Sequence, residues 1–246
     1  MPNAIDTLNQ HVSIRYYTDD PINNATLSEL FNAARRSPTS SNMQAYSLIV
    51  IRDQITKDAL AEYAGNQAHV RECPVFIAIC ADISRMLLAC EQHDKTLHRN
   101  LENFLVASVD AALVGMSLST AAESVGLGTV MIGGLRNHPY DVAKLLNLPE
   151  GAYAVFGLCL GYPDPDHIAH QKPRFAPEAI IHHEQYDPTQ HLSYIKDYDQ
   201  ALATHYRQEG RQTPDHAWSG IMAHKYTRPM RQNLKEELEI LGWVFE

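Results

Sequence analysis

The chain has few cysteines, and their spacing is irregular. Four occur in 246 residues: Cys73, Cys80, Cys90 and Cys159. They form no C-x-x-C pair, so neither a disulfide framework nor a zinc ribbon is indicated. The thirteen histidines include no H-E-x-x-H pattern, and the adjacent His182 and His183 would point to opposite faces of a strand. We therefore expect no metal site.

Basic residues are fewer than acidic ones. Lys and Arg number 20 against 29 Asp and Glu, a formal net charge of −9. This balance argues against a nucleic-acid binder and against a polybasic membrane surface. The first residues lack a basic and an apolar signal region, and the longest apolar stretch, from Phe104 to Leu118, contains Asp110. We expect a soluble, cytoplasmic protein that needs neither nucleic acid nor membrane.

Three common catalytic or nucleotide-binding signatures are missing. The sequence has no G-x-x-x-x-G-K-[ST] phosphate loop and no G-x-S-x-G nucleophile elbow. The glycine-rich segment from Gly126 to Gly133 follows a helical pattern and precedes a strand-like run. A dinucleotide-binding turn requires the opposite order, strand before helix. The usual Rossmann interpretation is therefore excluded.

Hydrophobic patterning predicts an α+β protein. The strand-like runs are Leu48–Ile51, Val75–Cys80, Thr129–Ile132 and Tyr153–Leu160. The first of these is continuous and β-branched, which is typical of a strand covered on both faces. The longest helix should run from about Leu101 to Ser124 and end at Gly126, with Pro229 opening a last helix. We predict one domain over residues 1–246, with 194–246 as a helical extension.

Polar residues cluster in three places that could together bind an anion and a ring. In an extended segment, His11, Ser13 and Arg15 would share one side, and a cation beside a hydroxyl suits a phosphate. Hydroxyls and amides crowd residues 37–44, and two cations flank Pro173. Taken singly, each pattern has another interpretation: residues 11–15 also fit a polar edge strand, residues 37–44 a turn, and residues 172–174 a charged loop.

Considered together, the three clusters and their surroundings resemble the FMN-dependent nitroreductase superfamily, in particular its NADPH nitroreductase and flavin reductase subgroup. The resemblance covers nearly the whole chain. It is most specific in four stretches: His11–Arg15, Glu123–Asn137, Phe156–Gly161 and Lys172–Arg174. It implies a nitroreductase-like fold, with a central mixed sheet flanked by helices and a C-terminal helical extension. It also implies a homodimer that binds FMN at its interface.

The resemblance assigns cofactor-binding roles residue by residue. His11, Ser13 and Arg15 would hold the phosphate and ribityl chain, and Lys172 with Arg174 would complete the phosphate site. The turn of Thr39, Ser40 and Ser41 would reach the flavin of the other subunit. Gln67 would lie at the pyrimidine side of the ring. The stretch beside the isoalloxazine and its N5 would be Met131, Ile132, Gly133 and Gly134. No catalytic acid or nucleophile is expected, because the flavin itself carries the hydride.

The sequence departs from the subgroup at four positions. Val12 replaces a frequent arginine, and Met131 replaces a frequent aromatic residue near the flavin. Pro214 and Asp215 stand where an arginine pair is expected to bind the 2′-phosphate of NADPH. The remaining candidate cations for that phosphate are Arg211, Lys225 and Arg228. We expect NADPH to remain usable, with a narrowed advantage over NADH.

The predicted function is that of an NAD(P)H-dependent FMN oxidoreductase with a ping-pong cycle. Its small-molecule oxidants would be nitroaromatics, quinones or free flavins. One alternative is a flavin reductase that supplies reduced FMN to a partner monooxygenase. Another is a non-catalytic FMN-binding sensor. Rapid bleaching of the bound flavin by NADPH or NADH would exclude the sensor.

Overall fold

The computed structural model describes residues 3–246, which fold into two compact units. One unit extends to Ala169 and resumes with Arg231–Glu246, whereas the other is His170–Met230. The second unit is therefore inserted into the chain of the first. The grouping of residues 1–246 into a single domain with an extension from 194 stays a prediction.

The first unit is built on a four-stranded sheet. Its strands are β1 (Tyr46–Ile51), β2 (Val75–Asp82), β3 (Gly128–Ile132) and β4 (Ala152–Gly161), in the order β1-β2-β4-β3. The α+β class is confirmed. The resemblance to the family implies a mixed sheet, but the three pairs of named strands are antiparallel. Parallel pairing in the described chain is confined to a bridge from Ser13 to Thr129, because the N-terminal segment joins the sheet through one residue pair.

Strand β1 lies at the edge of this sheet. Its apolar run predicts two covered faces, but Val50 is 42% exposed, and Leu48 and Ile49 are only partly buried. Within residues 3–246, β1 pairs with β2 alone. Both faces of β1 nevertheless contact the core, since Leu48 packs against one cluster of buried residues and Ile49 against the other. The apolar run does not predict the edge position, because it does not distinguish an edge strand from a central one.

Helices flank the sheet of the first unit. They are α1 (Ala4–Asn9), α2 (Asn24–Ala34), α3 (Gln54–Tyr63), α4 (Ala68–Glu72), α5 (Ser84–Glu91), α6 (Leu101–Ser124), α7 (Pro139–Leu145) and α10 (Leu234–Ile240). Single turns of 3₁₀ helix occur at Ser40–Asn42, Gly133–Asn137 and Pro165–His167. The second unit contains α8 (His191–Gln208), α9 (Ser219–Tyr226) and a 3₁₀ turn at Pro177–Ala179.

The long helix α6 has the predicted bounds and forms the centre of the first unit. Asn100 caps its first turn reciprocally with Asn103, and Gly126 follows its end with φ +86°. By length and composition α6 could cross a membrane. However, one face packs into the hydrophobic core, and Asp110 in its middle is buried. We therefore describe α6 as a core helix of the first unit.

The last residues of the chain complete a second part of this core. Trp243 is buried and meets the rings of Phe104 and Tyr153 edge-on, each at 5.5 Å between centroids. The preceding helix α10 begins at Leu234, so the prediction that Pro229 opens it is wrong. Arg231 has a φ of +49°, a left-handed conformation that a continuous helix cannot include.

Candidate functional site

The predicted anion-binding segment is fixed to strand β3. The backbone N–H of Ile14 donates to the carbonyl of Thr129 at 2.9 Å, and the Tyr17 hydroxyl donates to the carbonyl of Ile14 at 2.7 Å. A Cβ on Gly128 would lie 2.6 Å from Cγ1 of Ile14, so glycine is needed for this close approach. Arg15 is exposed, and its Nη1 makes a long 3.4 Å bond to the carbonyl of Ser13.

His11 is oriented by a carboxylate at the end of α6. Its Nδ1 lies 2.8 Å from Oε1 of Glu123 and 3.1 Å from Oε2. An ionised carboxylate only accepts, so Nδ1 carries the proton and donates. The same Oε1 accepts from the hydroxyls of Thr129 at 2.7 Å and Ser119 at 3.2 Å. No role for Glu123 is predicted from the sequence, although the residue begins one of the motifs shared with the family.

The stretch predicted to lie beside the flavin ring comprises the end of β3 and the start of the following turn, and it packs against Gln67. Met131 is 42% exposed and Ile132 is buried. A Cβ on Gly134 would overlap the carbonyl oxygen of Ala64 and lie 2.8 Å from Nε2 of Gln67. The Gln67 amide itself donates to that carbonyl at 2.7 Å. The structure thus brings together two of the predicted contacts, Gln67 and Gly134.

An arginine from the C-terminal part of the first unit holds the same stretch. Nη2 of Arg231 donates to the carbonyl of Gly133 at 3.2 Å, and its Nε donates to Oδ1 of Asn137 at 3.0 Å. Nearby, Arg136 donates to the carbonyl of Val155. Burial, followed by the positive charge of Arg231, lowers the pKa of Arg136. The role of Arg231 is not predicted from the sequence, because no local pattern links residues 98 positions apart.

The turn of Thr39, Ser40 and Ser41 is held on a different element, α6. The carboxylate of Asp110 accepts from the backbone N–H of Ser40 at 3.0 Å and of Ala45 at 3.1 Å. Helix α6 therefore anchors this turn through Asp110 and His11 through Glu123, whereas Ile14 is anchored to β3.

His69 is a further polar group, half-buried and subject to the charge of Arg15. Within residues 3–246, its Nε2 has no hydrogen-bond partner although it is shielded from solvent. Burial lowers the pKa of His69, and the positive charge of Arg15 lowers it further. Sequence analysis does not single out His69, which follows Gln67 by two residues at the start of α4.

In the second unit, two predicted cations share one aromatic ring. Nζ of Lys172 lies 5.7 Å from the centre of the Tyr206 ring, and Cζ of Arg211 lies 5.4 Å from it. Nη1 of Arg174 donates to the carbonyl of Lys172 at 3.1 Å. Tyr206 is thus a cation–π partner for one residue of the predicted FMN phosphate site and for one candidate ligand of the nucleotide phosphate.

The acidic residue that replaces the subgroup's arginine pair is itself ion-paired. Asp215 is in contact with the guanidinium of Arg207. Arg211 lies near the carboxylate of Glu209, with Nε 3.5 Å from Oε2. The other candidates, Lys225 and Arg228, are exposed. A neighbouring cation therefore offsets the negative charge of Asp215, and a carboxylate partly offsets the charge of Arg211.

Family models match both parts of the chain. The model described as nitroreductase family matches residues 8–162, and that of the nitroreductase family C-terminal domain matches residues 172–246. The chain belongs to the nitroreductase family.

Characterised relatives are similar over their full length. The chain is 37% identical over 246 residues to an oxygen-insensitive NADPH nitroreductase of Salmonella typhimurium, covering 99% of each chain. It is 36% identical over 252 residues to an FMN reductase [NAD(P)H] of Bacillus subtilis, covering 100% of each. The solved structure of B. megaterium NfrA2 superposes with a TM-score of 0.95 at 36% identity, covering 100% of each chain.

Proposed function

We propose that this protein is a cytoplasmic, FMN-dependent NAD(P)H oxidoreductase that reduces nitroaromatics, quinones or flavins. The observation that carries the proposal is the pairing of Ser13 with Thr129. It brings the segment with His11 and Arg15 to strand β3, which leads directly into Gly133. Four residues of extended chain from Thr129 to Gly133 span roughly 13 Å, which separates an anion-binding end from a ring-binding end. The names of the relatives support the same activity.

The residues present fit a flavin mononucleotide. A phosphate requires charge-assisted donors, and the segment offers the exposed Arg15 together with His11, whose Nδ1 is held by Glu123. At the other end, the absence of a side chain on Gly134 lets the backbone pack closely against Ala64 and Gln67, which holds the stretch proposed to lie beside the ring. The proposed FMN ligands are His11, Ser13, Arg15, Gln67, the backbone of 131–134, Lys172 and Arg174, with Thr39, Ser40 and Ser41 from a second subunit.

The chain's own residues would bind and position the cofactor and the substrates, and none of them needs to act as a catalytic acid or base. Bound FMN would supply the hydride and electron transfer between the nicotinamide and the second substrate. Arg231 fixes the Gly133 carbonyl and thereby the backbone proposed to lie beside the ring. Met131, exposed on β3, offers a flexible apolar surface for varied oxidants.

We also propose that the enzyme is a homodimer formed through α6. Four apolar side chains on one face of this helix are 38–55% exposed: Leu105, Val109, Leu113 and Met116. Their spacing of three or four residues forms a continuous stripe. Such a stripe indicates an interaction surface, and a second copy would cover it with the same stripe across a two-fold axis.

Anaerobic reduction of the purified protein tests the proposed activity. We expect a yellow protein with one FMN per chain that bleaches rapidly with NADPH and measurably with NADH. Reoxidation by a nitroaromatic, a quinone and free FMN would then rank the oxidants. Highest turnover with free FMN would favour the flavin reductase alternative. A flavoprotein that neither nucleotide bleaches would contradict the enzyme and support the sensor.

Light scattering on two variants tests the dimer. Val109→Glu places a charge in the stripe and should yield a monomer. Ile55→Glu, on the exposed surface of α3 at 80% exposure, is the matched control and should remain dimeric. A wild-type monomer that retains stoichiometric FMN would overturn the dimer proposal while leaving the oxidoreductase proposal intact.

A further inference from the structure

The turn that follows α2 adopts an unusual backbone conformation. Ser41, Asn42 and Gln44 have φ angles of +47°, +55° and +50°, and no glycine occurs among residues 38–45. Left-handed conformations are unfavourable for residues with a side chain and persist only where the surroundings enforce them. Three of them within four residues therefore require an external constraint.

Asp110 supplies that constraint. Its side chain projects from the middle of α6, and the residue is only 1% exposed. Oδ1 accepts from the N–H of Ser40 at 3.0 Å, and Oδ2 accepts from the N–H of Ala45 at 3.1 Å. The two donors stand immediately before and after the left-handed residues. One carboxylate thus ties both ends of the turn to one point on the helix.

The hydrogen bonds of the buried Asp110 carboxyl go to the two ends of the turn. Among residues 3–246, no Lys, Arg or His forms an ion pair with it, and its two oxygens are satisfied by backbone N–H groups. A buried carboxylate without a cation is costly, and asparagine could satisfy only one of the two donors because its amide nitrogen does not accept. The acid is therefore chemically suited to holding both ends of the turn.

We propose that Asp110 is a positioning residue that holds Thr39, Ser40 and Ser41 in the shape required to contact the flavin of the second subunit. This inference rests on the proposed FMN-dependent function. Asp110 also adjoins Val109 of the exposed stripe on α6. The helix that forms the proposed dimer surface therefore sets the position of the turn relative to the partner.

The test compares two buried aspartates. Asp199 in the second unit also accepts two backbone N–H bonds, from Trp218 at 2.7 Å and Ser219 at 2.8 Å, and is 6% exposed. Both Asp110→Asn and Asp199→Asn should lower the Tm. Only Asp110→Asn should lower the affinities for FMN and riboflavin alike, by about tenfold. The same variant should accelerate amide exchange over residues 38–46 of the dimeric holoenzyme. Unchanged flavin affinity in a dimeric Asp110→Asn variant would overturn the proposal.

A second pair of variants leaves Asp110 untouched, in case its replacement prevents folding. Ser40→Pro removes the backbone N–H that donates to Asp110, whereas Ser40→Ala keeps that N–H and removes only the side-chain hydroxyl. Thr39 has φ −133° and ψ +151°, a conformation that tolerates a following proline. The proline variant should bind flavin about tenfold more weakly than the alanine variant. Equal affinities would refute the positioning role, whereas a wild-type protein without bound FMN would refute the proposed function instead.

Discussion

Nδ1 of His11 lies 2.8 Å from Oε1 of Glu123, although 112 residues separate them in the sequence. This contact fixes the orientation of the imidazole at the proposed phosphate end of the site. Glu123 is held in turn by the hydroxyls of Ser119 and Thr129. The anion-binding end is thus organised by the C-terminal turn of α6 as well as by the N-terminal segment.

Replacing Glu123 should weaken the phosphate site without removing a phosphate ligand. In Glu123→Gln the carboxylate that orients His11 is lost, so we expect FMN affinity to fall by about 1–2 kcal/mol and riboflavin affinity to change little. Fluorescence titration with both flavins measures this. Glu102→Gln, in the exposed first turn of α6, is the control. Equal losses for FMN and riboflavin would mean that Glu123 supports the fold rather than the phosphate contact.

Removing Arg15 should affect the phosphate directly. Arg15→Ala should cost about 1.5–3 kcal/mol of FMN binding, as for other charged hydrogen bonds, and should leave riboflavin binding nearly unchanged. The same titration serves as the measurement. Lys144→Ala, which removes an exposed positive charge from α7, controls for net charge. If both flavins bind Arg15→Ala equally weakly, the residue has a structural role.

Nicotinamide preference should depend on the cations of the second unit. Because Arg207 pairs with Asp215, we expect NADPH to retain an advantage over NADH of about 1–2 kcal/mol. Arg211→Ala should remove most of this NADPH advantage. Asp215→Asn should enlarge the advantage, because it reduces repulsion of the 2′-phosphate. The ratio of kcat/KM for the two donors measures each effect. A large preference that survives Arg211→Ala would point instead to Lys225 and Arg228.

His69 should make the protein less stable in acid. Burial, followed by Arg15, lowers the pKa of His69 in the folded state below its ordinary value of 6.5. The unfolded chain therefore binds a proton first as the pH falls, and stability decreases below about pH 6.5. His69→Gln removes this effect, so its Tm should drop less than that of the wild type between pH 7.5 and pH 5.5. The exposed His93→Gln variant is the control, and a wild-type drop no larger than that of His69→Gln would contradict the prediction.

Local patterns predict the parts of the fold that depend on neighbouring residues. Helix α6 combines a long apolar run with a glycine stop, and β3 and β4 are short apolar runs next to turns. Their structural bounds agree with the sequence to within one or two residues. The edge position of β1 and the late start of α10 are not predicted, because the first depends on strand order and the second on the left-handed Arg231.

The candidate site likewise contains some residues that the sequence predicts and others that only long-range contacts reveal. Arg15 and Gly134 belong to motifs that the sequence displays, and Gln67 is assigned by the resemblance to the family. Asp110 and Arg231, which hold the surrounding backbone, do so through hydrogen bonds between residues 65 to 98 positions apart. No periodicity or spacing in one sequence encodes such pairings.

The burial of Trp243 has a consequence for synthesis on the ribosome. Phe104 and Tyr153 emerge from the exit tunnel long before Trp243, which packs against both. During translation of the entire second unit, these rings lack the partner that shields them in the finished molecule. Exposed apolar surface in incomplete chains promotes aggregation. The nascent protein therefore passes through a stage in which these rings are open to self-association, and that stage lasts until Trp243 has emerged and packed against them.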